Sequence, residues 1–138
     1  MPLLLEEVQE GNVAYFNDVS LVNDPEIDRN DDGLNRPGPF LCIQVKGDRS
    51  VWIAISSQYR PERLLIQDPW RSGGNDYWRE TPAYLIDGLN TYLGPNSSFV
   101  RAAAQERSFR PHSRPTVNQV GIAAVVAEVL RQGGPLLP

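Results

Sequence analysis

The sequence predicts a mostly β fold with helices attached: a small, strongly bent antiparallel β-barrel that carries a C-terminal helix. Three observations lead there. Pro39 to Val45 and Val51 to Ile55 are runs of β-formers joined by the short turn Lys46-Gly47-Asp48-Arg49-Ser50, which reads as a hairpin. Further short strands carry the same signature and are separated by two long polar loops. The segment from Thr116 to Arg131 has helical periodicity instead.

In chain order, residues 3–10 combine leucines with glutamates and leave open a helical turn or a loose acidic arm. Asn12 to Phe16 is the first strand, with Val13 and Tyr15 on one face. About Asn17 to Gly38 is a long loop rich in Asp, Asn, Gly and Pro, of the kind that serves as a lid or binding loop. The hairpin follows, and Arg63 to Gln67 is the fourth strand. A second long loop, Asp68 to Thr81, carries Trp70, Arg71, Tyr77, Trp78 and Arg79 around Ser72-Gly73-Gly74-Asn75. Ala83 to Ile86 and Leu89 to Leu93 are the fifth and sixth strands, and Gly94-Pro95-Asn96 breaks the pattern.

Ser97 to Arg107 reads as a short helix, and Arg107 to Pro115 as a basic, proline-rich irregular segment. Thr116-Val117-Asn118-Gln119 matches a capping box for the last helix. Its apolar stripes are Val117, Val120, Ala124, Ala127 and Ile122, Val126, Val129, Leu130. Arg131 suits the negative end of the dipole, and Gly133-Gly134 ends the helix. The whole is one domain: an acidic arm at 1–10, a body at 11–131 and a tail at 132–138.

Composition narrows the function. The 138 residues hold 41% apolar residues, and no apolar run is long enough to span a bilayer. Leu3-Leu4-Leu5 is too short for a signal-peptide core, so a cytoplasmic protein is expected. Cys42 lies in an apolar strand and reads as a reduced core residue. One His and one Cys do not supply a transition-metal site, and no cofactor is expected. A net charge of −4 argues against wholesale polyanion binding, yet it hides an asymmetry. Residues 1–33 hold nine acids and one base, whereas residues 34–138 hold twelve bases and eight acids. An acidic leader on a mildly basic body permits a local anion site.

Several residues are candidates for chemistry. Arg36 precedes the second strand, and Ser56 and Ser57 close the third, so pairing would bring a cation and two hydroxyls to one cleft. The aromatics and arginines of the second loop suit base stacking and phosphate contact, or equally a rim packed over the barrel end. Asp28-Arg29-Asn30-Asp31-Asp32-Gly33 fits the opening of a calcium loop, but Pro39 stands where the bidentate glutamate belongs, which favours a solvated acidic loop. His112 reads as a solvated loop histidine in preference to a general base.

The order of these segments resembles the MazF/PemK family of ribosome-independent mRNA-cleaving toxins. The family's opening strand, G-D-V-Y-F-A-D-L, is matched by Gly11-Asn12-Val13-Ala14-Tyr15-Phe16-Asn17-Asp18-Val19. Its R-P-V-L-V-I-Q strand resembles Arg36 to Gln44, and its V-A-A-I-T pattern resembles Trp52-Ile53-Ala54-Ile55-Ser56. Its L-L-E-Q-I-R-T segment is similar to Leu85 to Thr91, with Asn90 where the family has arginine. The likeness spans about residues 11–131.

The resemblance implies an SH3-like barrel that forms a homodimer, is held in check by a cognate antitoxin, and cuts single-stranded RNA without metal. In the family, the 2′-hydroxyl attacks the neighbouring phosphate and leaves a 2′,3′-cyclic phosphate and a 5′-hydroxyl. The catalytic arginine carries over to Arg36, provided that Gly38-Pro39 is an insertion that bulges, and the catalytic threonine to Ser56. Ser57, Arg60, Arg63, Trp70, Trp78 and Asn90 are then candidates for holding the RNA. The alternative is a catalytically inactive MazF/CcdB-like module that acts on a protein partner.

Overall fold

The two apolar runs form the longest strands of the sheet. In the computed structural model, which describes residues 2–29 and 37–138, the strands are β1 (Val13–Phe16), β2 (Asp28–Arg29), β3 (Gly38–Lys46), β4 (Arg49–Ser56), β5 (Leu65–Ile66), β6 (Arg71–Ser72), β7 (Ala83–Leu85), β8 (Thr91–Pro95) and β9 (Thr116–Val117). The helices are α1 (Asp18–Asn23), α2 (Asp76–Glu80), α3 (Asn96–Ala102) and α4 (Gln119–Gln132), with 3-10 turns at Leu5–Glu7 and Asp68–Trp70. The architecture is mixed α/β, with a mostly antiparallel sheet and a C-terminal helix. Among the described residues no helix is long and apolar enough to cross a membrane.

β4 is the central strand. One edge pairs with β3, which pairs in turn with β1. The other edge is shared: Arg49 to Ile53 pair with β8, and Ile55 and Ser56 pair with β7. β2 flanks β8, and β5 flanks β7. The turn Gly47–Asp48 closes the β3–β4 hairpin with Gly47 at φ +60°, a conformation that a residue with a Cβ adopts at a cost.

Both faces of β4 are covered, which explains why its sequence is an unbroken apolar run without alternation. Val51, Ile53 and Ile55 face a largely aliphatic cluster with Leu41, Leu85 and the buried residues of α4. Trp52 and Ala54 face the opposite way, into a cluster that includes Phe16, Phe40, Tyr92 and Phe99. Phe16 meets the Trp52 ring edge-on at 4.9 Å, and Phe40 meets Tyr92 the same way at 5.2 Å. The Trp52 indole N–H donates to the Ser50 hydroxyl at 3.0 Å, so burying both costs no unpaired polar group. Cys42 lies in this second cluster, where burial raises its thiol pKa.

Several elements depart from the sequence expectations. The stretch Asn17 to Gly38 is not simply a loop: it holds α1, capped by the Asn17 side chain on the Ser20 N–H, and then β2. Asp68 to Thr81 holds a 3-10 turn, β6 and α2, the last capped by Asn75. Helices of six and five residues are too short to show a period. β8 runs on through Gly94 and Pro95, because Arg49 and Ser50 pair with them, and α3 ends at Ala102 and not at Arg107.

The last helix starts later than the capping box implied. Thr116 and Val117 pair with β6, so Asn118 is the cap and accepts from the Gly121 N–H at 3.0 Å. Its buried face is Gly121, Ile122, Val125 and Val129, whereas Val120 and Leu130 of the expected stripes are exposed. Gly133 ends it at φ +84°, as the Gly-Gly pair implied. The tail then lies back on β3, where the Gln44 side-chain amide exchanges two hydrogen bonds with the Leu137 backbone at 2.8 and 3.3 Å. At the other terminus Leu3 and Val8 are buried in the aromatic cluster, so the 3-10 turn is docked.

Arg114 ties these peripheral pieces together. Its guanidinium pairs with both carboxylate oxygens of Glu106 at 2.9 Å, reaches Glu7 at 3.2–3.3 Å and donates to the Val13 carbonyl at 3.0 Å. The Arg114 and Glu106 side chains are 6% and 1% exposed. Burial pulls the Arg114 pKa down, but the bonds to Glu106 and Glu7 outweigh it and raise it. Next to Arg114, Gly73 sits at φ +68°, and a Cβ there would lie 2.3 Å from the Arg114 carbonyl oxygen.

Two predictions follow from this packing. Arg114→Ala leaves Glu106 buried without its cation and should cost about 3–5 kcal/mol in urea unfolding. Burial opposes ionisation of Glu7, yet Arg114 and the Leu4 N–H outweigh it and hold the carboxyl below 4.5. The stability that Glu7 supplies is therefore complete above that pH and is lost as pH falls through the folded pKa. Unfolding curves of wild type and Glu7→Gln should differ at pH 7 and converge in acid; a constant gap would remove Glu7 from the linkage.

The glycines give a third prediction. Gly73→Ala combines a left-handed backbone with a backbone clash and should cost about 2–3 kcal/mol. Gly133→Ala, at φ +84° with nothing within 4 Å of the new Cβ, should cost only about 1 kcal/mol. Equal losses in the two variants would show that the approach to Arg114 carries no energy.

Candidate functional site

Antiparallel pairing places the start of β3 and the end of β4 at the same end of the hairpin, away from its turn. There Ser56, Ser57, Pro39, Tyr15, Tyr77 and Thr81 line a cavity of about 200 Å³. Tyr15 arrives because β1 pairs with β3 in the register Tyr15 to Pro39. Ser56 is 7% exposed, and its hydroxyl oxygen accepts from the Gln58 N–H at 3.1 Å. That bond fixes the oxygen and leaves the hydroxyl proton to be donated into the cavity. Burial, with the neighbouring Tyr77 and Glu106, raises the Tyr15 phenol pKa, so Tyr15 stays a neutral donor at physiological pH.

A larger cleft of about 730 Å³ adjoins the first, and Tyr15 lines both. Its walls include Pro37, Gly38, Arg107, Phe109, Arg110 and His112. The stretch between α3 and β9 forms one wall, and it is held at its far end by Arg114 and by the Gly74 N–H donating to the Ser113 carbonyl at 2.8 Å. The Arg114 guanidinium also caps the Phe109 ring at 4.8 Å. Glu106 is the one acid in the lining, and its carboxylate is taken up by Arg114 and the Tyr15 N–H. What remains for a ligand is cationic and aromatic.

The sequence candidates divide between these cavities and the interior. Ser56 and Ser57 come together as expected. Arg36 lies outside the described residues, as do Asn30, Asp31, Asp32 and Gly33 of the calcium-like motif; Asp28 of that motif belongs to β2, paired with Leu93. The bulge that the Arg36 correspondence calls for at Gly38-Pro39 is not found: both residues pair in regular register with Phe16 and Tyr15, and the register shift in β3 falls between Cys42 and Gln44. Arg60 is exposed beyond β4. Arg63 donates to the Gln58 carbonyl at 2.9 Å and so braces the turn that holds Ser56.

The second loop is largely exposed, but its Trp78 and Arg71 side chains are packed inward. Trp78 is 7% exposed, its indole N–H donates to the Ser72 carbonyl at 2.9 Å, and Arg71 sits 5.2 Å from its ring. Arg71 is itself 3% exposed and donates to the Trp78 and Thr81 carbonyls at the end of α2. Trp70 is half-buried against Gly121 of α4. Trp78 nonetheless lines the Ser56 cavity beside the exposed Tyr77, so the loop contributes both to the rim of the fold and to the cavity wall. Asn90 is buried, donates to Asp87 at 3.0 Å and lines neither cavity.

Sequence reasoning named Tyr77 among the stacking aromatics of the second loop but passed over Tyr15, Arg107, Phe109 and Arg110. Their one signal was the density of bases in Arg107 to Pro115, and only the Arg114 anchor reveals that this segment walls a cleft. In comparisons with known proteins, no family model matches the chain, and neither a curated protein nor a solved structure matches it significantly.

Proposed function

We propose that the protein is a metal-independent endoribonuclease of the toxin–antitoxin kind, an SH3-like barrel that acts as a cytoplasmic homodimer on single-stranded mRNA and is restrained by an antitoxin. The observation that supports this reading is the hydroxyl-lined cavity at the open end of the β3–β4 hairpin. Ser56 and Ser57 line it, and Pro37 and Gly38, next to Arg36 in the chain, line the adjoining cleft. Resemblance of the segment order to the MazF/PemK family supplies the chemistry.

In that chemistry the ribose 2′-oxygen loses its proton and bonds to phosphorus as the bond to the 5′-oxygen breaks and that oxygen gains a proton. The products are a 2′,3′-cyclic phosphate and a 5′-hydroxyl. The protein must stabilise the extra negative charge on the phosphorane oxygens. The Ser56 O–H serves as a fixed donor; Arg36, assigned on its sequence position before Pro37 and Gly38 and without the bulge that the family correspondence calls for, supplies the fixed charge.

A second reading, a catalytically inactive barrel that acts on a protein partner, is favoured by one observation. Asn90, at the position of the family's second arginine, is buried away from both cavities.

RNA integrity separates the two readings. Purified protein incubated with long single-stranded RNA in EDTA should give discrete cuts with 5′-hydroxyl ends. Ser56→Ala and Arg36→Ala should each lower the rate about 10²-fold or more while the thermal midpoint stays within a few degrees. Two unrelated RNAs left intact at protein excess would discard the nuclease in favour of the binding module.

A further inference from the structure

We infer that the 730 Å³ cleft is a nucleotide subsite: it holds the nucleotide adjoining the scissile step of a single-stranded RNA, with Arg107 and Arg110 on its phosphates and Tyr15 and Phe109 against its base. The inference rests on the ribonuclease reading for the identity of the strand, and on this cleft alone for the place where the strand lies.

Charge is the first argument. The chain as a whole carries −4, so a cleft that presents cations runs against the average. Arg107 and Arg110 are both exposed, and among the described residues neither guanidinium has an ion-pair or hydrogen-bond partner. The lone acid of the lining, Glu106, is neutralised by Arg114. Two unpaired guanidinium groups in one concave wall attract a ligand with more than one negative group, as a nucleic-acid backbone has.

Shape and apolar surface are the second argument. A volume of about 730 Å³ falls in the range of small-ligand sites and accommodates a nucleotide. Tyr15 is 37% exposed and stands 6.1 Å from the Phe109 ring at an interplanar angle of 41°, so the cleft offers two aromatic rings beside its cations. A ligand that combines an anion with an aromatic plane satisfies both, and base-on-aromatic packing contributes about 1–3 kcal/mol per base. A simple anion would use only half of the lining.

Continuity is the third. Tyr15 is common to this cleft and to the Ser56 cavity. A strand that crosses Tyr15 therefore leaves one nucleotide in each. The wall is also set in place before any ligand arrives, because Arg114 holds Phe109 and the Gly74–Ser113 bond holds the segment's far end. Preorganisation lowers the entropy cost of binding.

The test is binding of a fluorescein-labelled 12-nucleotide single-stranded RNA with 2′-O-methyl riboses, which cannot undergo the 2′-hydroxyl attack, followed by anisotropy over a range of salt. Arg107→Ala/Arg110→Ala should weaken binding at least tenfold at 0.1 M salt. It should also flatten the plot of log K against log salt by about 1.4, the value for two lost phosphate contacts. Lys46→Ala/Arg49→Ala removes the same charge at the turn end of the hairpin and should change affinity less than twofold. Equal weakening by both pairs, an unchanged affinity in the first, or no binding by the wild type would overturn the subsite. RNA cleavage with binding independent of Arg107 and Arg110 would reject the subsite and keep the nuclease. Binding that depends on them, without cleavage of ordinary RNA, would do the reverse.

Discussion

The buried ion cluster of Arg114, Glu106 and Glu7 is the constraint on which the candidate site depends. It joins three pieces distant in sequence: the N-terminal turn, the backbone of β1 through Val13 and Tyr15, and the irregular segment after α3. A buried ion cluster is not in itself a strong source of stability, since desolvation offsets most of the attraction. Its effect here is geometric. Without a cation at this point, the Val13–Pro115 and Gly74–Ser113 backbone bonds would hold only the segment's far end, and the wall of the larger cleft would lose its hold on Phe109.

The hairpin supplies the other half of the arrangement. β4 is bonded on both edges and covered on both faces, so the position of its last residue, Ser56, is set by the whole sheet. Ser56 then meets the turn at Gln58 that Arg63 braces, so the hydroxyl oxygen is held directly by the Gln58 N–H and by Arg63 only through Gln58. Tyr15 belongs to both halves. Its backbone is registered on β3 and bonded to Glu106, and it lines both cavities.

Much of the fold was legible where one rule decided the outcome. The Gly47 turn between β-formers gave the hairpin, and Gly133 marked the end of α4. Legibility failed where tertiary pairing overrode a local signal. Thr116 carries a good capping pattern but is drawn into a strand by β6, and Pro95 looks like a breaker but sits at the end of β8 opposite Arg49. The placement of the candidate residues was legible in part for the same reason. The place of Ser56 follows from strand pairing alone, whereas Trp70 and Arg71 look like a ligand surface until packing shows that they hold α4 and α2 in place, and Trp78 is packed under Arg71 while it lines the Ser56 cavity. Arg107 and Arg110 became visible only through a contact across 107 residues, from Glu7 to Arg114.

The two walls of the site differ in how they are secured, and this has a kinetic meaning. The amides of β4 are shielded on every side, so their opening is tied to unfolding of the sheet as a whole. The segment from Arg107 to His112 has mostly exposed residues and is held chiefly at its ends, so it opens in a smaller, cheaper unit. One side of the site is then an anvil that keeps its shape for the lifetime of the folded state. The facing side is exposed along its flank, which gives a polymer a way to enter without being threaded end first.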